Sequence, residues 1–150
     1  MTSQPADEQL LNDGARAFLS AHPARHATIA TVNRDGGPHQ IVIWYRFEPA
    51  AGDRGDRFIV NSRRGRRWPS NVERERRASL AVFQGDDAVT VQCELEQVYE
   101  GDAALADIAE MARRYYDPEA AEQDIAVFAT QQRVTFVLRP IKAHIHGDPH

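Results

Sequence analysis

The chain passes from an apolar strand into a helix at Ile59-Val60-Asn61-Ser62-Arg63-Arg64-Gly65-Arg66-Arg67-Trp68-Pro69-Ser70-Asn71-Val72. Pro69 marks the helix start, because the first helical turn needs no N–H at that position. Free backbone N–H groups at a helix start attract anions, and arginine side chains match the geometry of phosphate oxygens. The segment therefore predicts a binding site for a phosphate-bearing ligand.

Positive charge is concentrated around this turn. Residues 57–77 contain eight arginines and two glutamates, a balance of +6 in a chain of net charge −4, so all other residues together carry −10. Proteins that bind a nucleic-acid backbone carry a domain-wide basic excess, whereas Lys142 is the only lysine here. We therefore expect a small anion and no nucleic acid. A solvated basic loop is the alternative interpretation.

Length and composition fit one soluble domain over residues 1–150, with 42% hydrophobic and 27% charged residues. No apolar run approaches the roughly 20 residues that span a bilayer, and the first residues lack the features of a secretory signal. We expect a cytoplasmic protein with no membrane partner. Cys93 is the single cysteine, which excludes an internal disulfide, and its strand-like surroundings predict a buried structural thiol.

Hydrophobic periodicity and turn residues predict six mostly antiparallel strands and four helices. The strands are expected at 27–32, 39–47, 57–62, 78–83, 88–98 and 133–146, and the helices at 7–20, 68–75, 102–116 and 119–130. Between 89 and 96, odd positions are apolar and even positions polar, which predicts one polar face.

The strand at 39–47 is apolar on both faces in its middle. One face of such a strand is expected to contact the core and the other a ligand or a second subunit, with core on both sides as the alternative.

The order of these elements resembles the split β-barrel of the pyridoxamine-phosphate-oxidase-like flavin-binding superfamily, over residues 27–147. Three motifs carry the resemblance: the strand and Asp-Gly hairpin at 27–38, the arginine turn with Asn71-Val72 and residues 77–80, and Arg139-Pro140-Ile141 in the closing strand. The implied fold class is mainly β (α+β). It is a six-stranded antiparallel split β-barrel with an N-terminal helix, a short helix after strand 3 and helices before the last strand.

Within that superfamily, the Arg-Gly-Arg-Arg sequence at 64–67 is similar to the branch that uses the deazaflavin coenzyme F420. The resemblance implies an oxidoreductase that transfers a hydride between the reduced deazaflavin and a small organic acceptor. It also implies a homodimer with the cofactor in a groove between the subunits. An FMN-binding relative and a non-catalytic cofactor-binding module are the alternatives.

The resemblance further implies which residues contact the cofactor. The phosphate would lie at Arg66 and Arg67, and the ring along the neighbouring strands. The implied set is His39, Val42, Val60, Asn61, Ser62, Arg63, Arg66, Arg67 and Trp68. Relatives commonly carry a lysine where this chain has Trp68, whose ring could stack on the ligand while nearby arginines replace the lost charge.

A deazaflavin cofactor continues from its phosphate into a polyanionic tail, so its site should remain basic beyond the first phosphate contact. The candidates for that extension are Arg63, Arg64, Arg74, Arg76 and Arg77. Arginines that only balance Glu73 and Glu75 on a solvated helix are the alternative.

No catalytic side chain is predicted, because the cofactor ring carries hydride chemistry and the protein supplies placement. His39 and Tyr45 are the candidate proton donors nearest the proposed ring, with a surface histidine and a core tyrosine as the alternatives. The C-terminal histidines His144, His146 and His150 have no acid or cysteine at ligand spacing, so no metal site is predicted.

Overall fold

The computed structural model describes residues 10–150 and contains eleven helices and strands within that range. The strands are β1 (Ala27–Val32), β2 (Pro38–Ile43), β3 (Arg46–Glu48), β4 (Arg57–Arg63), β5 (Arg77–Gln84), β6 (Asp87–Glu100) and β7 (Arg133–His146). The helices are α1 (Asp13–Ser20), α2 (Arg67–Glu75), α3 (Asp102–Tyr115) and α4 (Pro118–Phe128). The predicted helical residues 7–9 lie outside the described range.

All seven strands join one antiparallel sheet in the order β2-β1-β5-β6-β7-β4-β3. The α+β class and the antiparallel sheet are thereby confirmed, whereas the count of six strands is wrong, and the sheet is not closed into a complete barrel. The two edge strands, β2 and β3, do not pair with each other. They are consecutive in the chain, so three Cα–Cα steps hold Ile43 and Arg46 within about 11 Å and the sheet must curl.

The extra strand arises at Trp44-Tyr45, where the predicted strand 39–47 breaks in two. Tyr45 turns into the core, 2% exposed, and its hydroxyl donates to the Leu19 carbonyl at 2.9 Å. Trp44 instead stacks on Tyr115 with ring centroids 5.2 Å apart. Because the two neighbouring side chains pack on different parts of the protein, the chain bends here and passes from one edge of the sheet to the other.

The main core lies inside the curled sheet and is closed by α1 and α2. Trp68 of α2 is 2% exposed and packs on Phe136 of β7, 5.5 Å between ring centroids. The alternation predicted at 89–96 is confirmed, with Val89, Val91, Cys93 and Leu95 buried on the inner face. Burial raises the pKa of Cys93 to about 12, which fits the expected structural thiol.

The opposite face of β4, β6 and β7 is covered by α3. A register shift between Leu95 and Gln97 reverses the strand's inside-outside alternation and places Tyr99 on this face. Asp107 of α3 accepts hydrogen bonds from Tyr99 at 2.5 Å, Thr135 at 2.8 Å and Arg46 at 3.2 Å. This buried carboxylate fixes α3 to three strands. No helix within residues 10–150 is long and apolar enough to span a membrane.

Candidate cofactor site

The arginine turn between β4 and α2 is held in place by one of its own arginines. The Arg64 guanidinium bonds to both Glu73 of α2 and Glu100 of β6, and its backbone N–H donates to the Gln132 carbonyl at 2.8 Å. Gly65 follows with φ of 96°, a conformation that favours glycine. Arg64 is therefore a structural residue that leaves its neighbours free to face solvent.

The arginines of residues 57–77 divide into paired and unpaired groups. Arg57 pairs with Glu48, Arg64 with Glu73 and Glu100, and Arg74 and Arg77 with Glu75. Within the described chain, no carboxylate pairs with Arg63, Arg66, Arg67 or Arg76. Glutamates therefore partly balance the charge of Arg64, Arg74 and Arg77, and a role for these three in binding a polyanionic tail stays a prediction.

A cavity of about 640 Å³ opens at the N-terminus of α2, and we call it the basic cavity. Its lining is Asn33, Arg34, Asp35, Gly65, Arg66, Arg67, Ser70, Asn71 and Arg74. No side chain of residues 10–150 caps this helix start, and the first turn of α2 contains no acidic residue. The partial positive charge of the helix end therefore adds to the exposed charges of Arg66 and Arg67.

The β1–β2 hairpin forms the far wall of the basic cavity. Asn71 of α2 is 3% exposed, and its amide donates to Thr31 at 3.0 Å and to Asn33 at 2.9 Å. These bonds tie the hairpin to the helix and bring Arg34, at the hairpin tip, to the cavity. Arg34 was not predicted as a site residue, because residues 33–38 indicate only a turn when the sequence is considered alone.

A second cavity, of about 410 Å³, adjoins the first and is called the aromatic cavity. Its lining is His26, Val42, Ile43, Trp44, Asn61, Ser62, Arg66, Trp68, Ile108, Phe128 and Arg133. Trp44 and Phe128 meet edge to face, 6.3 Å between centroids. Arg66 lines both cavities. An elongated ligand could therefore place an anionic group in the first cavity and a flat apolar ring in the second.

Arg133 is a site residue that the sequence did not reveal. It is 8% exposed at the start of β7, where Nε donates to Asn61 at 3.0 Å and Nη1 donates to Gln131 at 2.8 Å. Its guanidinium lies 4.7 Å from the centre of the Phe128 ring. Burial, followed by the charges of Arg66 and Arg63, lowers the pKa of Arg133 to about 10.

Six of the nine residues that the resemblance implied line one or both cavities. They are Val42, Asn61, Ser62, Arg66, Arg67 and Trp68. The indole of Trp68 is 2% exposed, so it presents almost no surface to the cavity and face-on stacking on a ligand is not available. Contact of the six with a cofactor stays a prediction.

The other three implied residues line neither cavity. Val60 is fully buried in the main core, where its side chain cannot contact a ligand in either cavity. His39 is half-buried beside Thr31 in the β1–β2 pairing. Arg63 is exposed at the end of β4, opposite Arg133.

The candidate proton donor Tyr45 is a core residue, as its alternative interpretation held. Burial raises its pKa, and its hydroxyl is committed to the Leu19 carbonyl. The histidine that does border the aromatic cavity is His26, whose ring lies 5.1 Å from that of Tyr115. Among residues 10–150, no cluster of three or more His, Cys, Asp or Glu could hold a metal ion.

Comparison with solved structures identifies the fold but does not select a ligand. An F420 reductase is 19% identical with a TM-score of 0.68, the match covering 89% of this chain and 98% of that one. The heme storage protein of Vibrio cholerae is 16% identical with a TM-score of 0.63, covering 94% and 97%. An FMN-binding protein from Syntrophomonas wolfei is 19% identical with a TM-score of 0.60, covering 89% and 84%.

The sequence itself assigns the family. No curated protein matches the chain significantly. The family model described as pyridoxamine 5'-phosphate oxidase matches residues 11–143, which include every strand except the end of β7 and both cavities. This chain therefore belongs to the pyridoxamine 5'-phosphate oxidase family.

Proposed function

We propose that this protein binds the deazaflavin coenzyme F420 and transfers a hydride between the reduced cofactor and a small organic acceptor. The observation that carries the proposal is the position of Arg66, which joins the basic cavity to the aromatic cavity. A ring with a phosphate-bearing side chain has the same division into a flat apolar part and an anionic part. When bound, the deazaflavin ring would supply the hydride.

The chain's own residues would hold the phosphate and screen the ring. Arg66 and Arg67 have no carboxylate partners within the described residues, so both are available for charge-assisted bonds to a phosphate at the start of α2. Trp44 and Phe128 would close the aromatic cavity on one side of the ring and keep bulk water from it. No proton donor is assigned, and His26 is the histidine that borders this cavity.

The extent of the basic cavity favours the deazaflavin over FMN. FMN ends at its phosphate, whereas the deazaflavin continues into a carboxylate-bearing tail. The basic cavity runs past Arg66 and Arg67 to Arg34 on the β1–β2 hairpin, more space and charge than one phosphate requires. The solved F420 reductase of similar fold agrees with this choice, and the FMN-binding protein keeps FMN as the alternative.

A homodimer would complete the site. Val42 is 62% exposed and Phe83 is 70% exposed, and the pairing of β2, β1 and β5 puts both on the outer face of the sheet. Val42 also borders the aromatic cavity, so a second copy on this face would cover the ring. Light scattering should give twice the 16.9 kDa chain mass. A wild-type protein at the mass of one chain would contradict the shared site.

Turnover separates an oxidoreductase from a cofactor-binding module. The protein would be loaded with reduced deazaflavin without oxygen, and the oxidised chromophore followed while organic acceptors are added. Protein-dependent oxidation by at least one acceptor is the expected result. Tight binding with no oxidation above the protein-free rate would instead assign a non-catalytic role to the chain. The heme storage protein of similar fold has a name that indicates such a role.

A further inference from the structure

We propose that Arg133 forms a second anion subsite, separate from the phosphate site, that binds the carboxylate of the acceptor. The inference names a substrate class for the proposed function and in that sense rests on it. The subsite itself consists of residues of the aromatic cavity. Its elements are the Arg133 guanidinium, the Phe128 ring above it and the Asn61 amide beside it.

Within residues 10–150, Arg133 is a buried cation without a counterion. It is 8% exposed, and its hydrogen-bond acceptors are the neutral amides of Asn61 and Gln131. No carboxylate within the described residues forms an ion pair with it. The nearby charges are the arginines Arg63 and Arg66, both unfavourable to it. Such a cation costs folding free energy, which a bound anion would recover.

Elsewhere the chain supplies a counterion when it buries an arginine for structural reasons. The Arg46 side chain is 17% exposed and contacts Asp107 at 3.2 Å, Glu48 at 3.0 Å and Glu110 at 2.7 Å. Arg133 is also buried, at 8% exposed, but no carboxylate of residues 10–150 forms an ion pair with it. The contrast indicates that the partner of Arg133 comes from outside the chain.

One nitrogen of Arg133 is left for that partner. Nε and Nη1 are occupied, and Nη2 donates to none of the described residues. No buried side-chain nitrogen or oxygen in residues 10–150 lacks a hydrogen-bond partner, so Nη2 keeps accessible surface, and Arg133 is one of the residues that line the aromatic cavity. Asn61 is itself fixed by bonds to the Ala104 carbonyl and to Thr135, both at 2.9 Å. The free nitrogen is thereby held in one orientation.

The cavity around Nη2 selects the class of anion. Trp44, Phe128 and Ile43 present apolar surface, which suits an organic body more than inorganic phosphate. The phosphate site lies on the other side of Arg66, in the basic cavity. A molecule with an apolar part and one carboxylate would lie between these apolar side chains and the cofactor ring, with its carboxylate at Arg133, while the cofactor phosphate stays at the arginine turn.

Benzoate and its neutral near-isostere benzamide test the subsite directly. Both would be titrated into the wild-type protein, with and without cofactor, by calorimetry and by the fluorescence of Trp44 and Trp68, the chain's two tryptophans, which both border the cavity. Wild type should bind benzoate at least about tenfold more tightly than benzamide. Equal affinity for the two would overturn the proposal without any variant having to fold.

Variants then distinguish an acceptor site from a cofactor site. R133Q should lose the preference for benzoate while deazaflavin affinity changes less than about threefold, and R133K should keep part of the preference. R139Q is the matched control, since Arg139 is an exposed arginine of the same strand that pairs with Glu94. R133Q would be compared with the variant in which both Arg66 and Arg67 are replaced by alanine. If R133Q lost as much cofactor affinity as that variant, Arg133 would belong to the cofactor site and not to an acceptor site.

Different results would contradict the cofactor assignment and the Arg133 subsite. If neither F420 nor FMN binds but wild type still prefers benzoate through Arg133, the cofactor assignment is wrong and the anion subsite stands. If cofactor binds and benzoate shows no preference, the subsite is wrong and the cofactor assignment stands.

Discussion

The amide oxygen of Asn61 accepts a hydrogen bond from Nε of Arg133 at 3.0 Å, across two neighbouring strands of the sheet. Asn61 in turn donates to Thr135, whose hydroxyl donates to Asp107 at 2.8 Å. The bonds that fasten α3 to the sheet therefore also position the buried cation of the aromatic cavity. Stability and binding are linked through this chain of hydrogen bonds.

Gln131→Glu should stabilise the protein and weaken its binding of organic anions. Gln131 accepts from Nη1 of Arg133 at 2.8 Å, so glutamate would place a carboxylate against the unpaired guanidinium with almost no change of shape. We expect the free energy of unfolding to rise by about 1 kcal/mol and benzoate affinity to fall by about tenfold. Urea unfolding and calorimetry measure the two effects.

The control for this substitution is Gln97→Glu, which adds the same charge at an exposed position of β6. It should change neither quantity appreciably. A Gln131→Glu protein with the stability and benzoate affinity of wild type would show that Arg133 already has its charge compensated.

Replacing both Arg66 and Arg67 by alanine should remove ligand affinity and leave stability nearly unchanged. Both side chains are exposed at an uncapped helix start and have no carboxylate partner in the described chain. Deazaflavin binding should weaken by about 2 to 5 kcal/mol, with little change of melting temperature. The double variant of Arg113 and Arg139 removes the same charge outside both cavities and should bind normally. Unchanged deazaflavin affinity in the first variant would show that Arg66 and Arg67 contribute only surface charge.

Tyr99 should make a pH-dependent contribution to stability at alkaline pH. Burial first, and then the bond to Asp107, raises its pKa to about 12, above the value of about 10 expected in the unfolded chain. Its contribution is therefore complete below pH about 10 and is lost as the pH rises towards 12. The difference in unfolding free energy between wild type and Tyr99→Phe should shrink over that interval. Tyr116→Phe, at an exposed ring, is the control, and a constant difference for Tyr99→Phe would contradict the assignment.

Arg76→Gly should stabilise the protein. Arg76 ends α2 with φ of 62°, the left-handed conformation that glycine adopts at lower cost, while its N–H donates to the Val72 carbonyl at 2.7 Å. We expect a gain of about 0.5 to 1 kcal/mol in the free energy of unfolding, measured by urea denaturation. Arg77→Gly, in the following strand, should instead be destabilising, and a loss at both positions would argue against relief of backbone strain.

Local sequence patterns were sufficient for most secondary structure. Closing strand β7 and the short helix α2 lie where periodicity and Pro69 placed them, because those signals come from neighbouring residues. The break at Trp44-Tyr45 was missed because both residues favour strands and their opposite environments depend on Tyr115 and Leu19, far along the chain. Strand number therefore depended on tertiary contacts.

The candidate site likewise contains residues that local sequence indicated and residues whose roles depend on tertiary contacts. Arg66 and Arg67 were identified because charge and the helix start are adjacent in sequence. Arg133 was missed because its role depends on Asn61, 72 residues away, and on burial under Phe128. Val60 was included because the resemblance implied a cofactor ring along its strand, but its side chain is fully buried in the main core.

Equilibrium titration of the protein with F420 and with FMN, each at several salt concentrations, decides which cofactor this site binds. We expect the fluorescence of the deazaflavin to be quenched on binding. We also expect it to bind more tightly than FMN and to lose affinity as salt screens the exposed arginines of the basic cavity. Tighter binding of FMN, or deazaflavin binding that ignores salt, would contradict the assignment of this site to F420.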